Sequence, residues 1–349
     1  MIEKPVVATV GAGRMGCGLA HVFAYAGHQI RIIDIKKRDL NSRRKLESSV
    51  FANISNTLGL METLGKISPD DRANMISKIS FHTVDGAANA LAGADVVFEA
   101  VPEVADIKRS ALTLISQNSP ENSIIASTTS TILVDELAQH VLKPHRFLNA
   151  HWLNPAFLIP LVELSVGKKT NPQAVENLKE ILESIGKVPV VLKASPGFIV
   201  PRIQALAMSE AARTLEEGVA TADEIDKALR VGFGLRFAIL GLIEFIDWGG
   251  NDILYHAGTY MKDALQSDRF EVADITKEHM QDGRNGMREG RGFYNYQNID
   301  IKAYQMETLR KLMDLIDHLG LLAPPGGVKN LDQSPASRAE HPYLGPDNS

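Results

Sequence analysis

The 349-residue sequence contains one cysteine, Cys17, no long uncharged apolar run, and a formal charge of only -5. A lone cysteine cannot close an intrachain disulfide, so nothing in the chain calls for an oxidising compartment, and a cytoplasmic location is expected. No stretch reaches the roughly 18 consecutive apolar residues of a membrane span. The opening MIEKPVVATV runs straight into a strand-like segment without the pattern of a signal peptide. A soluble protein with no membrane partner is therefore expected. The mild charge offers no broadly basic surface for nucleic acid, although Lys36, Lys37, Arg38 and Arg43, Arg44, Lys45 form local clusters able to meet an anion.

What is present is ordinary globular composition, 44% hydrophobic and 23% charged, which excludes disordered, collagen-like and coiled-coil classes. The length favours two domains. From Val6 to about Leu192, short runs rich in Val, Ile and Phe alternate with stretches of helical period, the pattern of a parallel sheet flanked by helices. The strand candidates are VVATV, QIRIID, ISFHT, DVVFEA, SIIAST, RFLNAH, PLVELS and VPVVL. Between Asp34 and Ile79 the chain is too long for one crossover helix, and a helical pair is expected there. Ser68-Pro69-Asp70-Asp71 and Asn171-Pro172 mark helix starts by a capping side chain followed by proline.

At Ala194-Ser195-Pro196-Gly197 strand signals give way to helices. The expected organisation is a doubly wound, mostly parallel α/β domain over residues 1–194, a smaller all-helical domain over 195–320, and a flexible tail over 321–349. LRFAILGLIEFIDW is more apolar than a small bundle needs, which suits either its core or a subunit interface.

Gly11-Ala12-Gly13-Arg14-Met15-Gly16 directly follows the first strand and opens a helix. That context turns a short glycine pattern into a Rossmann-type dinucleotide loop, with Arg14 and Met15 included in the expected cofactor contacts. Gly11 permits the tight turn, Gly13 lets the backbone approach the pyrophosphate, and Gly16 allows the helix to pack closely on the strand. Asp34, at the end of the second strand, would accept hydrogen bonds from the adenosine ribose hydroxyls and repel a 2′-phosphate. NAD is thus the expected cofactor, with Lys36, Lys37 and Arg38 pulling against that preference.

A second cluster lies at other strand ends. Ser127, Thr128, Thr129 and Ser130 follow SIIA, and His151-Trp152-Leu153-Asn154-Pro155 follows RFLNA. Twelve residues after His151, Glu163 is an acid inside the apolar strand PLVELSV, and a buried acid needs a partner. A neighbouring histidine fits: the carboxylate would fix the imidazole tautomer and favour its charged form. Oxidation of an alcohol needs a base for the hydroxyl proton as hydride leaves, which His151 would supply, while Ser130 and Asn154 hydrogen-bond the same oxygen. His140, His145 and His151 match no standard zinc spacing, and no metal is expected.

GAGRMG, VVFEAVPE, ASTTS, HWLNP, PLVEL, SPGFIV and GRGFYNY together resemble the L-3-hydroxyacyl-CoA dehydrogenase family across nearly all of residues 5–297. The resemblance implies a His151–Glu163 dyad, substrate-oxygen partners at Ser130 and Asn154, and cofactor contacts at Asp34, Glu103 and Lys108. It further implies a homodimer formed through the helical domain, and a 3-hydroxyacyl-CoA of short chain, such as 3-hydroxybutyryl-CoA from fatty acid metabolism, as substrate. Three departures stand out. Thr128 replaces the asparagine of the usual S-N-T-S, and Pro201 replaces an asparagine near the active site. The helical segment that carries lysines toward CoA in the acyl-CoA enzymes has no basic residue between Lys45 and Lys66. These favour, as the alternative, a small non-CoA hydroxy acid of the carnitine or gulonate kind. A lysine-dependent 3-hydroxyacid dehydrogenase lacks its motif here, and a non-catalytic NAD-binding protein is opposed by the presence of all four active-site residues.

Overall fold

A computed structural model of the chain describes residues 4–335 and 337–339. Two compact units divide between Ala207 and Met208. The tail expected over 321–349 lies partly outside the described residues.

The first unit is built on one sheet of eight strands. They are β1 (Val7–Val10), β2 (Ile30–Asp34), β3 (Ile79–Thr83), β4 (Val96–Glu99), β5 (Ile124–Ser127), β6 (Phe147–Trp152), β7 (Leu161–Val166) and β8 (Val188–Lys193). Their order is β3-β2-β1-β4-β5-β6-β7-β8. Every neighbouring pair is parallel except β6 and β7. Only a short loop, residues 153–160, joins those two, too short for the crossover that parallel strands need. The helices are α1 (Arg14–Tyr25), α2 (Leu40–Thr63), α3 (Pro69–Ser77), α4 (Ala87–Leu91), α5 (Ala105–Asn118), α6 (Val134–Leu137), α7 (Pro172–Ser184) and α8 (Val200–Glu216), the last crossing the division. The pair α2 and α3 fills the stretch between β2 and β3.

Alternation along each strand sends side chains to both faces, and both faces are covered. On one, Val7, Ile30, Ile32, Phe98 and Leu148 pack with Leu19 and Phe23 of α1, Ile54 and Leu58 of α2, and Leu178 and Leu182 of α7. On the other, Ala8, Val10, Val97 and Ile125 pack with Leu91 of α4, Leu112 and Ile115 of α5, and Leu137 of α6. The doubly wound sheet leaves the carboxyl ends of β1, β2, β4 and β5 on one edge, where ligands bind in such folds.

Local signals set the helix starts. Ser68 and Asp71 form a complete capping box at α3, and the Asn171 side chain accepts from Gln173 N–H at α7.

The second unit is helical: α9 (Ala222–Ala228), a π-helical turn over Leu229–Gly234, α10 (Leu235–Ile239), α11 (Leu242–Gly249), α12 (Asn251–Ala264), α13 (Asp274–Gln281) and α14 (Ile301–His318). Asp247 of α11, 1% exposed, ties it to GRGFYNY. Its carboxylate accepts from Phe293 N–H at 2.9 Å, Tyr294 N–H at 2.8 Å and the Tyr296 hydroxyl at 3.1 Å. Burial, then the Asp247 charge, push the Tyr296 phenol above its usual pKa. A Cβ on Gly292 would stand 2.1 Å from Asp247 Oδ1, so the glycine is needed for the approach. Asp247→Ala leaves one buried and two part-buried donors without their acceptor. We expect it to cost on the order of 3–5 kcal/mol, read as a lower urea midpoint of the helical unit.

Candidate active site

The site grows out of the first strand-to-helix turn. Gly11 has φ +124°, and a Cβ there would lie 2.3 Å from Ala100 O. A Cβ on Gly16 would lie 1.9 Å from Gly11 O, so α1 can reach its place on the sheet only without one. Space is open around Gly13, and no side chain caps α1. The first N–H groups of α1 therefore face a cradle a pyrophosphate can fill, with the positive end of the helix behind it. These features fit a dinucleotide.

Beside the turn runs a crevice of about 1010 Å³ lined by Gly11, Gly13, Arg14, Met15, Asp34, Glu103, Ser130 and Asn154 among others. Eight of the residues singled out in the sequence thus meet on one surface. Gly16 stands behind it, as packing requires. Asp34 ends β2, 7% exposed, and its Oδ2 accepts from Arg38 Nε at 2.7 Å.

Lys108 is not among the lining residues. It is 1% exposed, with Nζ 3.0 Å from both carboxylate oxygens of Glu99 and 3.1 Å from Glu103 Oε2. Glu99, fully buried at the end of β4, also accepts from the Ser127 hydroxyl and Val101 N–H. Glu103 takes the hydroxyls of Thr129 and, at 2.9 Å, Thr131. Burial opposes its charge, but Thr129, Lys108 and Thr131 outweigh burial and hold its carboxyl below the usual range. The network joins the ends of β4 and β5 to the start of α5, so it fixes the rim on which Ser130 and Glu103 stand. Ser130 itself is exposed.

His151 and Glu163 are direct cross-strand partners in the antiparallel β6–β7 pair. Imidazole Nδ1 lies 2.8 Å from Glu163 Oε2, with the side chains 8% and 1% exposed. Glu163 Oε1 accepts from the N–H groups of Ile199 and Val200, both at 2.9 Å. These amides open α8, so the helix end and the imidazole share the carboxylate between them. A carboxylate only accepts, so Nδ1 carries a proton, and in the neutral ring Nε2 presents a lone pair. The Phe198 ring lies against the imidazole with centroids 4.9 Å apart and planes at 19°. Phe198 holds φ +50°, rare for an aromatic, directly after Gly197 at φ +77°. Pro201 falls in the first turn of α8, where a missing N–H is harmless.

Sequence reasoning passed over Glu99, Phe198 and Lys187, and took Thr129 only as one hydroxyl of the run at the end of β5. Glu99 carries the signal that marked Glu163, an acid inside an apolar strand. Nothing in the residue types announces the Phe198 stack. Lys187, 7% exposed, donates to the carbonyls of Ala156 at 2.6 Å and Ile159 at 2.9 Å. It braces the loop carrying Asn154 from beneath, and burial pushes its ammonium pKa down. Among the described residues no group of three or more His, Cys, Asp or Glu side chains is placed to hold a metal ion. Nor is any helix among them long and apolar enough to cross a membrane.

Residues 6–195 match the model of the 3-hydroxyacyl-CoA dehydrogenase NAD-binding domain, and residues 197–296 that of the 3-hydroxyacyl-CoA dehydrogenase C-terminal domain. The chain is 31% identical over 309 residues to 5-formyl-3-hydroxy-2-methylpyridine 4-carboxylate 5-dehydrogenase of Mesorhizobium japonicum, covering 88% of this chain and 96% of that one. It is 30% identical over 290 residues to a 3-hydroxybutyryl-CoA dehydrogenase of Bradyrhizobium diazoefficiens, covering 83% and 94%. Among solved structures, the 3-hydroxyacyl-CoA dehydrogenase of Archaeoglobus fulgidus is similar with a TM-score of 0.71 and 28% identity, over 91% of this chain and all of that one.

Proposed function

Because this chain belongs to the 3-hydroxyacyl-CoA dehydrogenase family and is an NAD-dependent oxidoreductase acting on CH–OH groups, we propose that it oxidises a short-chain 3-hydroxyacyl-CoA, such as 3-hydroxybutyryl-CoA, to the 3-oxo product. The observation that carries this reading is the His151–Glu163 pair at 2.8 Å, with the second carboxylate oxygen fixed by two amides.

When bound, NAD supplies the hydride acceptor. Nε2 of His151 takes the hydroxyl proton as the C–H hydride leaves, so no net charge is stranded on the substrate oxygen. Ser130 and Asn154 offer hydrogen-bond donors to that oxygen. Glu163 is a positioning residue, keeping the Nδ1–H tautomer and stabilising the imidazolium once it forms. Glu103 meets the cofactor, and Lys108 acts through Glu103 rather than by touching the cofactor.

A second reading is favoured by specific residues. Between Lys45 and Lys66 the exposed side of α2 carries Glu47, Ser48, Ser49, Asn53 and Asn56 with no cation, which offers little to the phosphates of CoA. The Mesorhizobium relative is named for a pyridine carboxylate. The discriminating experiment is NADH formation by the full chain with 3-hydroxybutyryl-CoA, carnitine and gulonate side by side. Turnover of the thioester is expected. Turnover of carnitine or gulonate with none of the thioester would move the assignment to a small hydroxy acid.

The working form is proposed to be a homodimer through the helical unit, whose Met208, Val219, Tyr260 and Met306 are 64–72% exposed. A sedimentation mass of one chain at micromolar concentration would refute this.

A further inference from the structure

The crevice that takes NAD is built, at its adenosine end, for a more negative ligand as well. We propose that the protein also uses NADP(H), with Arg38 holding the 2′-phosphate. An acid ending the second strand ordinarily selects NAD, because its carboxylate accepts from the ribose hydroxyls and repels a 2′-phosphate. Asp34 is that acid here, but its charge is not alone.

Arg38 Nε donates to Asp34 Oδ2 at 2.7 Å, and Lys36 N–H reaches Oδ1 at 3.3 Å. The bond uses Nε, which leaves the two terminal guanidinium nitrogens for other acceptors, in the fork geometry that suits phosphate. Arg38 is also held from behind: its carbonyl accepts from Arg43 Nε at 3.2 Å, and Arg43 is anchored to Asp85 at 2.6 Å. Its side chain is 28% exposed, so the guanidinium is placed rather than swinging in solvent. Asp34, Lys36 and Arg38 all line the crevice. Two cationic residues, Lys36 and Arg38, thus line the crevice with Asp34, whose carboxylate is already paired with Arg38. A phosphate added at the ribose end then meets the Arg38 guanidinium rather than an uncompensated carboxylate.

Both functions fit one arrangement. With NAD, the carboxylate oxygens still have lone pairs for the ribose hydroxyls. With NADP, the terminal nitrogens of Arg38 meet the phosphate while Nε neutralises Asp34.

The test is binding to the full chain without substrate, by fluorescence titration with NADH and NADPH. Competition by AMP and by adenosine 2′,5′-bisphosphate reads the adenosine end alone. The expected result is an NADPH Kd within about tenfold of that for NADH, with Arg38→Gln weakening NADPH and the bisphosphate at least about tenfold and NADH less than about threefold. Raising the salt should weaken NADPH more steeply than NADH. A wild-type preference for NADH above tenfold overturns the proposal. So does a parallel loss of both nucleotides in Arg38→Gln, which would make Arg38 a mere support for Asp34. Neither outcome touches the assignment of His151, which rests on its pairing with Glu163 across β6 and β7.

Discussion

His151→Ala is expected to lower kcat by about three orders of magnitude, within the range a positioned general base contributes, while the NADH Kd stays within a factor of about two. The separation follows from where the side chain sits. His151 is on β6, its ring wedged between Glu163 and Phe198, and it is not part of the glycine cradle or of the Asp34 end. Removing it deletes the acceptor for the hydroxyl proton, which then has only water to go to, but leaves every residue proposed to hold the dinucleotide. The replacement also creates a cavity and strips the partner from a buried carboxylate, so some loss of stability is expected. His151→Gln fills more of that space, and Tm measured on both variants separates folding from chemistry. Equal kcat in wild type and in a folded variant would remove His151 from the mechanism. A parallel loss of NADH binding would instead place it in the cofactor site.

How far the sequence reaches can be judged strand by strand. The strands are legible because most are short Val- and Ile-rich runs bounded by turn residues, and a doubly wound sheet buries both faces of such runs, while β3 (ISFHT) and β6 (FLNAHW) show through their aromatic and other apolar residues. The glycine loop is legible because the backbone there tolerates no Cβ at two positions. The reversal of direction at β7 was available in principle, since eight residues cannot make a crossover, and it is this reversal that sets His151 opposite Glu163. What cannot be read is the set of contacts made by backbone groups distant in sequence. The Ile199 and Val200 amides reach Glu163 only because α8 starts where it does. Phe198 reaches the imidazole because its φ is positive, a conformation that its residue type disfavours and that only the surrounding structure enforces. Lys108 illustrates the converse. The residue type and position alone suggest a solvated helix-start charge, and only the family resemblance implies a cofactor role; the structure instead buries its ammonium between two carboxylates.

Glu163→Gln is expected to cost nearly as much activity as loss of the histidine, about two to three orders of magnitude in kcat, from a change of one heavy atom. Glu163 Oε1 accepts two amide hydrogens, from Ile199 and Val200. In the glutamine variant that place must go to the carbonyl oxygen, because an NH2 group facing two N–H donors would leave all of them unpaired in a buried site. The amide nitrogen is then forced toward His151 Nδ1, where it donates instead of accepting. Nδ1 must give up its hydrogen, the tautomer reverses, and Nε2 carries the proton that the substrate hydroxyl needs to lose. The geometry survives while the base is blocked, so KM and the NADH Kd should change little and kcat should carry almost the whole effect. Nitrogen NMR of the histidine ring in the two proteins reads the tautomer directly. A glutamine variant with wild-type kcat, or one whose ring still holds its hydrogen on Nδ1, would show that Glu163 does not govern the proton on His151.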